Sequence, residues 1–157
     1  MKRFALIAAL IMALAAGFGC AKKTTDDAVA PDTSAMSPEM QAAIQQITDE
    51  RVYFAFDKYA LADEYKASLK NKAELMKRFS TIRVRIEGNC DARGTQEYNL
   101  ALGEKRARVV YEYLVQLGVN PSQLEMISYG KENPAVEGTG EAVWSKNRRD
   151  DFRVTAY

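Results

Sequence analysis

Residues 88–107 read GNCDARGTQEYNLALGEKRA, and the fold turns on how this stretch is read. The spacing predicts a helix over 96–117. Leu102, Val109, Val110, Tyr113, Leu114 and Leu117 recur at three- and four-residue intervals along it. Thr95 stands where a cap belongs, Glu97 suits the positive end of the helix dipole, and Gly118 marks the stop. Arg106 breaks the pattern, because four residues after Leu102 and three before Val109 it falls on the apolar stripe. A buried cation without a partner costs several kcal/mol. Arg106 also sits in the first half of its helix, where the dipole favours anions. It calls for a negative group, and Asp91, just past the preceding strand, is the local candidate. The plainer alternative is a buried salt bridge that pins loop to helix.

Working outward, Val52, Phe54 and Phe56 alternate with Tyr53, Ala55 and Asp57, which predicts a two-faced strand. Tyr65, Leu69, Ala73, Met76 and Phe79 share one side of a second helix over 62–79. A strand over 83–88 turns Val84 and Ile86 inward and Arg83, Arg85 and Glu87 outward. A third strand covers 124–129, a glycine-containing loop 130–145, and a closing strand 151–157. The order is β-α-β-α-β-β. Strand–helix–strand units imply parallel neighbours with right-handed crossovers. The expected class is α/β (α+β), a two-layer sandwich with two helices on one face of a mixed sheet.

The chain has 157 residues and a formal charge of +1, which fits one ordinary domain with extras. Near-neutrality argues against nucleic acid as a partner. The absence of histidine excludes triads with an imidazole base and imidazole zinc sites. Cys20 and Cys90 are the two cysteines, too few for a cysteine-only metal site, so neither metal nor cofactor is expected.

Lys2 and Arg3 precede an apolar, alanine-rich run, the layout of an export signal. It ends at Gly17-Phe18-Gly19-Cys20, where a small residue before cysteine resembles a lipobox, with Gly17 in place of the usual leucine. The expected organisation is a lipoprotein signal peptide over 1–19. The lipidated Cys20 and a flexible linker with a possible short helix cover 20–50, and the folded domain covers 51–157. The linker is rich in Ala, Thr, Asp, Ser and Pro, and Ser37-Pro38-Glu39 has the features of a helix start. A multiply acylated cysteine holds its protein on a bilayer, since each buried methylene adds ~0.8 kcal/mol.

Several segments together carry a family likeness. They are Tyr53-Phe54-Ala55-Phe56-Asp57, Ile86-Glu87-Gly88, Asp91-Ala92-Arg93-Gly94-Thr95, Glu97 through Gly103, Arg106-Ala107, Ser128 through Glu132, and Asn147-Arg148-Arg149. With the signal, they resemble the peptidoglycan-associated lipoproteins of Gram-negative bacteria, a branch of the OmpA-like C-terminal domain superfamily. The resemblance implies a non-enzymatic tether that holds the outer membrane through lipid, reaches into the periplasm, and grips the peptidoglycan stem peptide at meso-diaminopimelate. It also implies periplasmic partners of the Tol system. Carried over, Asp91 would take the ligand ammonium and Arg106 its carboxylate. Asn99 and Leu102 would line the site from the same helix, Phe56 and Asp57 would form a wall, and Arg148 would lie near the rim.

Two departures from that pattern stand out. Asn89-Cys90 replace the common His-Thr, and Asp150-Asp151 stand where apolar residues are usual. The chemistry suits the residues, because a zwitterion needs a cation and an anion in fixed relation. Arginine offers carboxylate a planar fork, while aspartate accepts from ammonium. Two rivals are weighed. One is a wall hydrolase built on the carboxylates Asp57 and Asp91, and the other is a structural periplasmic domain with no wall ligand.

Overall fold

In the computed structural model the residues described are 36–157. The expected signal segment, Cys20 and most of the linker lie outside them. The elements run α1 (Pro38–Asp49), β1 (Val52–Tyr53), α2 (Lys66–Arg78), β2 (Arg83–Asn89), α3 (Gln96–Gln116), β3 (Leu124–Gly130), α4 (Glu141–Asn147) and β4 (Arg149–Ala156). Short 3₁₀ turns precede α2 and β3.

The strands form one mixed sheet ordered β1-β4-β2-β3. β2 and β3 are parallel, with Val84 opposite Leu124, and α3 is the crossover between them. The other predicted parallel pair is not adjacent. β4 is antiparallel to both β1 and β2 and lies between them, so β1 and β2 run the same way one strand apart. On one face, Val84, Ile86, Leu124 and Phe152 meet Leu69, Ala73 and Met76 of α2 and Ala107, Val110 and Leu114 of α3. This is the two-layer α/β architecture read from the sequence. A third helix joins the same core, for α1 contributes Ala43 and Ile47.

Ser37 caps α1, its Oγ accepting from Met40 N at 3.2 Å. The far end of α1 is closed by a lysine. Lys72 Nζ, buried, donates to the carbonyls of Gln46 and Ile47 at 3.1 and 2.6 Å and lies 4.6 Å from the centroid of the Phe152 ring. Burial pulls its pKa down to about 8, against the pull of Glu50 and Asp49. Beyond Asp150, β4 has a strand on one edge only, and α1 packs against β4.

Three boundaries differ from the sequence reading. The first strand ends at Tyr53, because the carbonyls of Ala55 and Lys58 turn inward to receive Arg106. Phe54 stays buried, whereas Phe56 is 56% exposed. The stretch expected to be loop contains α4, a helix of seven residues, too short to show a periodic stripe. The last strand starts at Arg149, with Asp150 inside the ladder opposite Gly88. Glu87 points outward as expected but is buried, because Arg153 and Tyr129 both reach its Oε1.

Candidate functional site

The junction of β2 and α3 is set by two glycines. A Cβ on Gly88 would lie 2.7 Å from the carbonyl carbon of Gly103, closer than real side chains approach. With neither side chain present, the start of α3 sits directly on the end of β2. Thr95 caps α3, accepting from Tyr98 N at 3.2 Å. Between strand and helix the turn at 90–94 projects Asp91 over a cavity of about 200 Å³, lined also by Phe56, Asp57, Asn99, Leu102 and Arg106. Six of the seven binding residues named from sequence therefore share one cavity.

Arg106 is wholly buried, as its place on the apolar stripe requires. Asp91, the partner expected for it, does not receive it. Its guanidinium instead donates to main-chain carbonyls: Nε to Lys58 O at 2.9 Å, Nη1 to Asn89 O at 2.9 Å, and Nη2 to Ala55 O at 3.3 Å. Nη1 also reaches Cys90 Sγ at 3.4 Å. Carbonyl dipoles satisfy the fork and leave the charge uncancelled, so burial lowers the Arg106 pKa, with Cys90 and Asp150 pulling the other way. An arginine has five N–H donors. One on Nη2, and the one spent on sulfur, remain for an anion in the cavity.

Asp91 belongs to other arginines. Arg93 holds it with a fork, Nε to Oδ1 at 3.0 Å and Nη2 to Oδ2 at 2.6 Å, and Arg93 N adds a third bond to Oδ1 at 3.1 Å. Arg148 Nη1 reaches Oδ2 at 3.3 Å. Burial alone would raise the Asp91 pKa, but these arginines outweigh it and hold the carboxyl below its ordinary value. Arg148 is the seventh named residue. It does not sit at the rim but lies buried behind Asp91, fixed by Phe54 O at 2.9 Å and by Glu141.

Asn99 spends both amide protons on the loop, donating to Arg93 O at 2.7 Å and Thr95 O at 2.9 Å. Its Oδ1 is the polar atom left for a ligand. Asp57 has φ 55°, a left-handed conformation that aspartate tolerates better than most residues, and it accepts from Tyr98 OH. Cys90 is buried, donates to Asn99 O at 3.3 Å, and has its thiol pushed up to about 11 by burial, which is the state of a filler rather than a nucleophile.

Sequence reasoning missed the aromatic slot. The Arg93 guanidinium lies 3.9 Å from the Phe56 ring centroid and 4.1 Å from that of Trp144. An aspartate two residues before an arginine across a tight turn is the signal that could have found the pairing of Arg93 with Asp91, though not the two rings. Asp150 was missed too. It is fully buried beneath the junction, and neither carboxyl oxygen has a hydrogen-bond partner. Burial raises its pKa well above the usual carboxylate value, with Arg106 opposing.

Chemically, the cavity offers an ionised carboxylate, a buried guanidinium, an amide oxygen and an apolar floor at Leu102. Glycoside hydrolysis asks for an acid with a raised pKa facing the ligand, whereas Asp91 is shifted the other way. Among the described residues no group of side chains is arranged to hold a metal ion, and no helix is long and apolar enough to cross a membrane.

Comparison with known proteins shows the family. Residues 53–148 match the model of the OmpA family. The chain is 41% identical to the peptidoglycan-associated lipoprotein of Pseudomonas putida over 98% of both chains. It is 42% identical to that of Haemophilus influenzae over 92% of both. Among solved structures, the peptidoglycan-associated lipoprotein from Burkholderia pseudomallei superimposes with a TM-score of 0.66 at 47% identity, covering 67% of this chain and 89% of that one. The C-terminal domain of Helicobacter pylori MotB matches with a TM-score of 0.64 at 23% identity, over 69% of this chain and 85% of that one, a likeness of fold alone.

Proposed function

Because the chain belongs to the OmpA family, and within it to the peptidoglycan-associated lipoproteins, we propose that it is a non-catalytic tether between the outer membrane and the cell wall. In this reading Cys20 carries lipid in the outer membrane and residues 21–37 span the gap. The folded domain, in the periplasm, holds a peptidoglycan stem peptide at meso-diaminopimelate. Asp91 takes the ammonium of the amino acid centre and Arg106 its carboxylate. Asn99 Oδ1 accepts from the ligand, while Phe56 and Leu102 flank its carbon chain. Arg148 acts from behind, keeping Asp91 ionised and in place. Membership of the Tol system, with a periplasmic partner that shares the wall-binding face, follows by family likeness.

The observation that carries the reading is a carboxylate kept ionised and a buried guanidinium with an unspent N–H, lining one small cavity. Such a site suits the end of an amino acid better than a sugar chain, because the charges match a zwitterion and the volume is small. The test is co-sedimentation with purified sacculi. Arg106→Ala is a poor probe, since it orphans the carbonyls of Ala55, Lys58 and Asn89 and threatens the fold. Asp91→Asn keeps the shape and removes the charge. It is expected to lose sedimentation by tenfold or more, as about 1.4 kcal/mol of charge-assisted bonding implies. Wild-type sedimentation by a folded Asp91→Asn variant overturns the assignment.

A further inference from the structure

We propose that Arg93 is a resident cation: its guanidinium occupies, on Asp91, the place a ligand ammonium must take, and this competition restricts the site to ligands that bring a carboxylate as well. The inference rests on the proposed reading of the cavity and concerns which ligands can enter it.

A carboxylate has about four lone-pair sites. On Asp91 all are engaged. Oδ1 receives the backbone N and Nε of Arg93, and Oδ2 receives Nη2 of Arg93 and Nη1 of Arg148. An incoming ammonium therefore finds no free lone pair and must displace a donor. The backbone N–H of Arg93 is fixed by the turn. Arg148 is 6% exposed in its side chain and tied to Phe54 O and Glu141 as well. The Arg93 side chain is 31% exposed and is the donor free to leave.

Its way out is built. The guanidinium lies between the rings of Phe56 and Trp144, so it can slide along their faces while keeping cation–π contact. Glu141 waits on that side, with Oε2 already 3.8 Å from Arg93 Nη2 and its side chain 63% exposed. The exchange trades one cation for another on Asp91, so an ammonium by itself gains little from entering. The gain comes from a second contact that Arg93 does not make, the carboxylate on the unspent N–H of Arg106. A plain amine is thereby excluded and an amino acid centre admitted.

The test is calorimetric titration of the folded chain with two matched probes. One is meso-diaminopimelate. The other is 1,5-diaminopentane, which has the same carbon spacing between its amines and no carboxylates. The wild type is expected to bind the first and not the second. Arg93→Gln is expected to bind meso-diaminopimelate about three- to fivefold more tightly, the scale of a partly exposed ion pair removed from competition, and to show measurable binding of the diamine. Weaker binding of meso-diaminopimelate by Arg93→Gln makes Arg93 a ligand contact and overturns the proposal. Unchanged affinity for both probes makes it a bystander and overturns it equally. If wild type and Arg93→Gln both fail to bind meso-diaminopimelate, and wild type also fails to sediment with sacculi, the reading of the cavity itself falls, and the competition with it.

Discussion

Replacing Gly88 by alanine tests whether the contact between β2 and α3 builds the site. The added Cβ would lie 2.7 Å from the Gly103 carbonyl carbon and 3.2 Å from its Cα, and nearer still to the carbonyl oxygen. Carbon atoms rest at about 3.5–4.0 Å, so α3 must retreat by ~1 Å over its first half. No side chain can turn aside to relieve this, since what is met is backbone. Overpacking of that kind costs about 1–3 kcal/mol, with the upper end expected where main chain must move. Against a typical stability of ~5–15 kcal/mol, a loss of ~3 kcal/mol is read easily as a lower urea midpoint at unchanged slope. Gly103→Ala should be milder. Its Cβ meets Ser128 Oγ, and Gly88 O at 3.0 Å, so the main obstacle is a side chain. A helix-interior alanine also returns ~1 kcal/mol over glycine. Adding Ser128→Gly should recover much of the loss in Gly103→Ala and none of the loss in Gly88→Ala. If Gly88→Ala unfolds within about 0.5 kcal/mol of wild type, the close approach is not what fixes α3, and the argument fails.

Asp150→Asn should stabilise the protein increasingly as pH rises. The folded carboxyl is shifted upward by burial, so wild type keeps its full stability below the unfolded pKa of ~3.9 and loses it as pH climbs toward the folded value. A difference in urea midpoint that stays flat from pH 4 to pH 8 would count against a buried, unpartnered acid. Lys72→Met should loosen α1, with faster amide exchange there and a global cost of about 1–2 kcal/mol from two carbonyls left unpaired. Between pH about 8 and 10.5 the unfolded chain holds the lysine proton and the folded chain does not, so wild-type stability should rise against that of the variant across this window. A gap that does not move with pH refutes the burial of that ammonium.

What the sequence made legible was local. The glycine, aspartate, cap and helix of 88–107 were readable because spacing within one element decides which face a residue takes, and Arg106 on the apolar stripe is buried as that logic demands. Its partners were not legible. Besides Asn89 O and Cys90 Sγ close by, they are carbonyls of Ala55 and Lys58, 51 and 48 residues away, and any residue type presents the same carbonyl. Proximity in sequence favoured Asp91, but Arg93 is closer still and takes it. The insertion of β4 between β1 and β2 was hidden for a related reason, since alternation sets the faces of a strand and says nothing of its neighbours. The resemblance put Arg148 near the rim, and only the tertiary fold brings Phe54 O and Asp91 around it.

The folded part begins with α1, and its last strand, β4, is laddered to β2 along most of its length. A pull arriving from residues before 36 is thus borne first by a single helix, held by Ala43, Ile47 and the ammonium of Lys72, and not by the strand ladder. Its 12 residues span ~18 Å as a helix and ~40 Å drawn out. Under tension α1 can peel away and yield ~20 Å of slack before force reaches the junction of β2 and α3. In the proposed tether it would be a shock absorber in series with the grip.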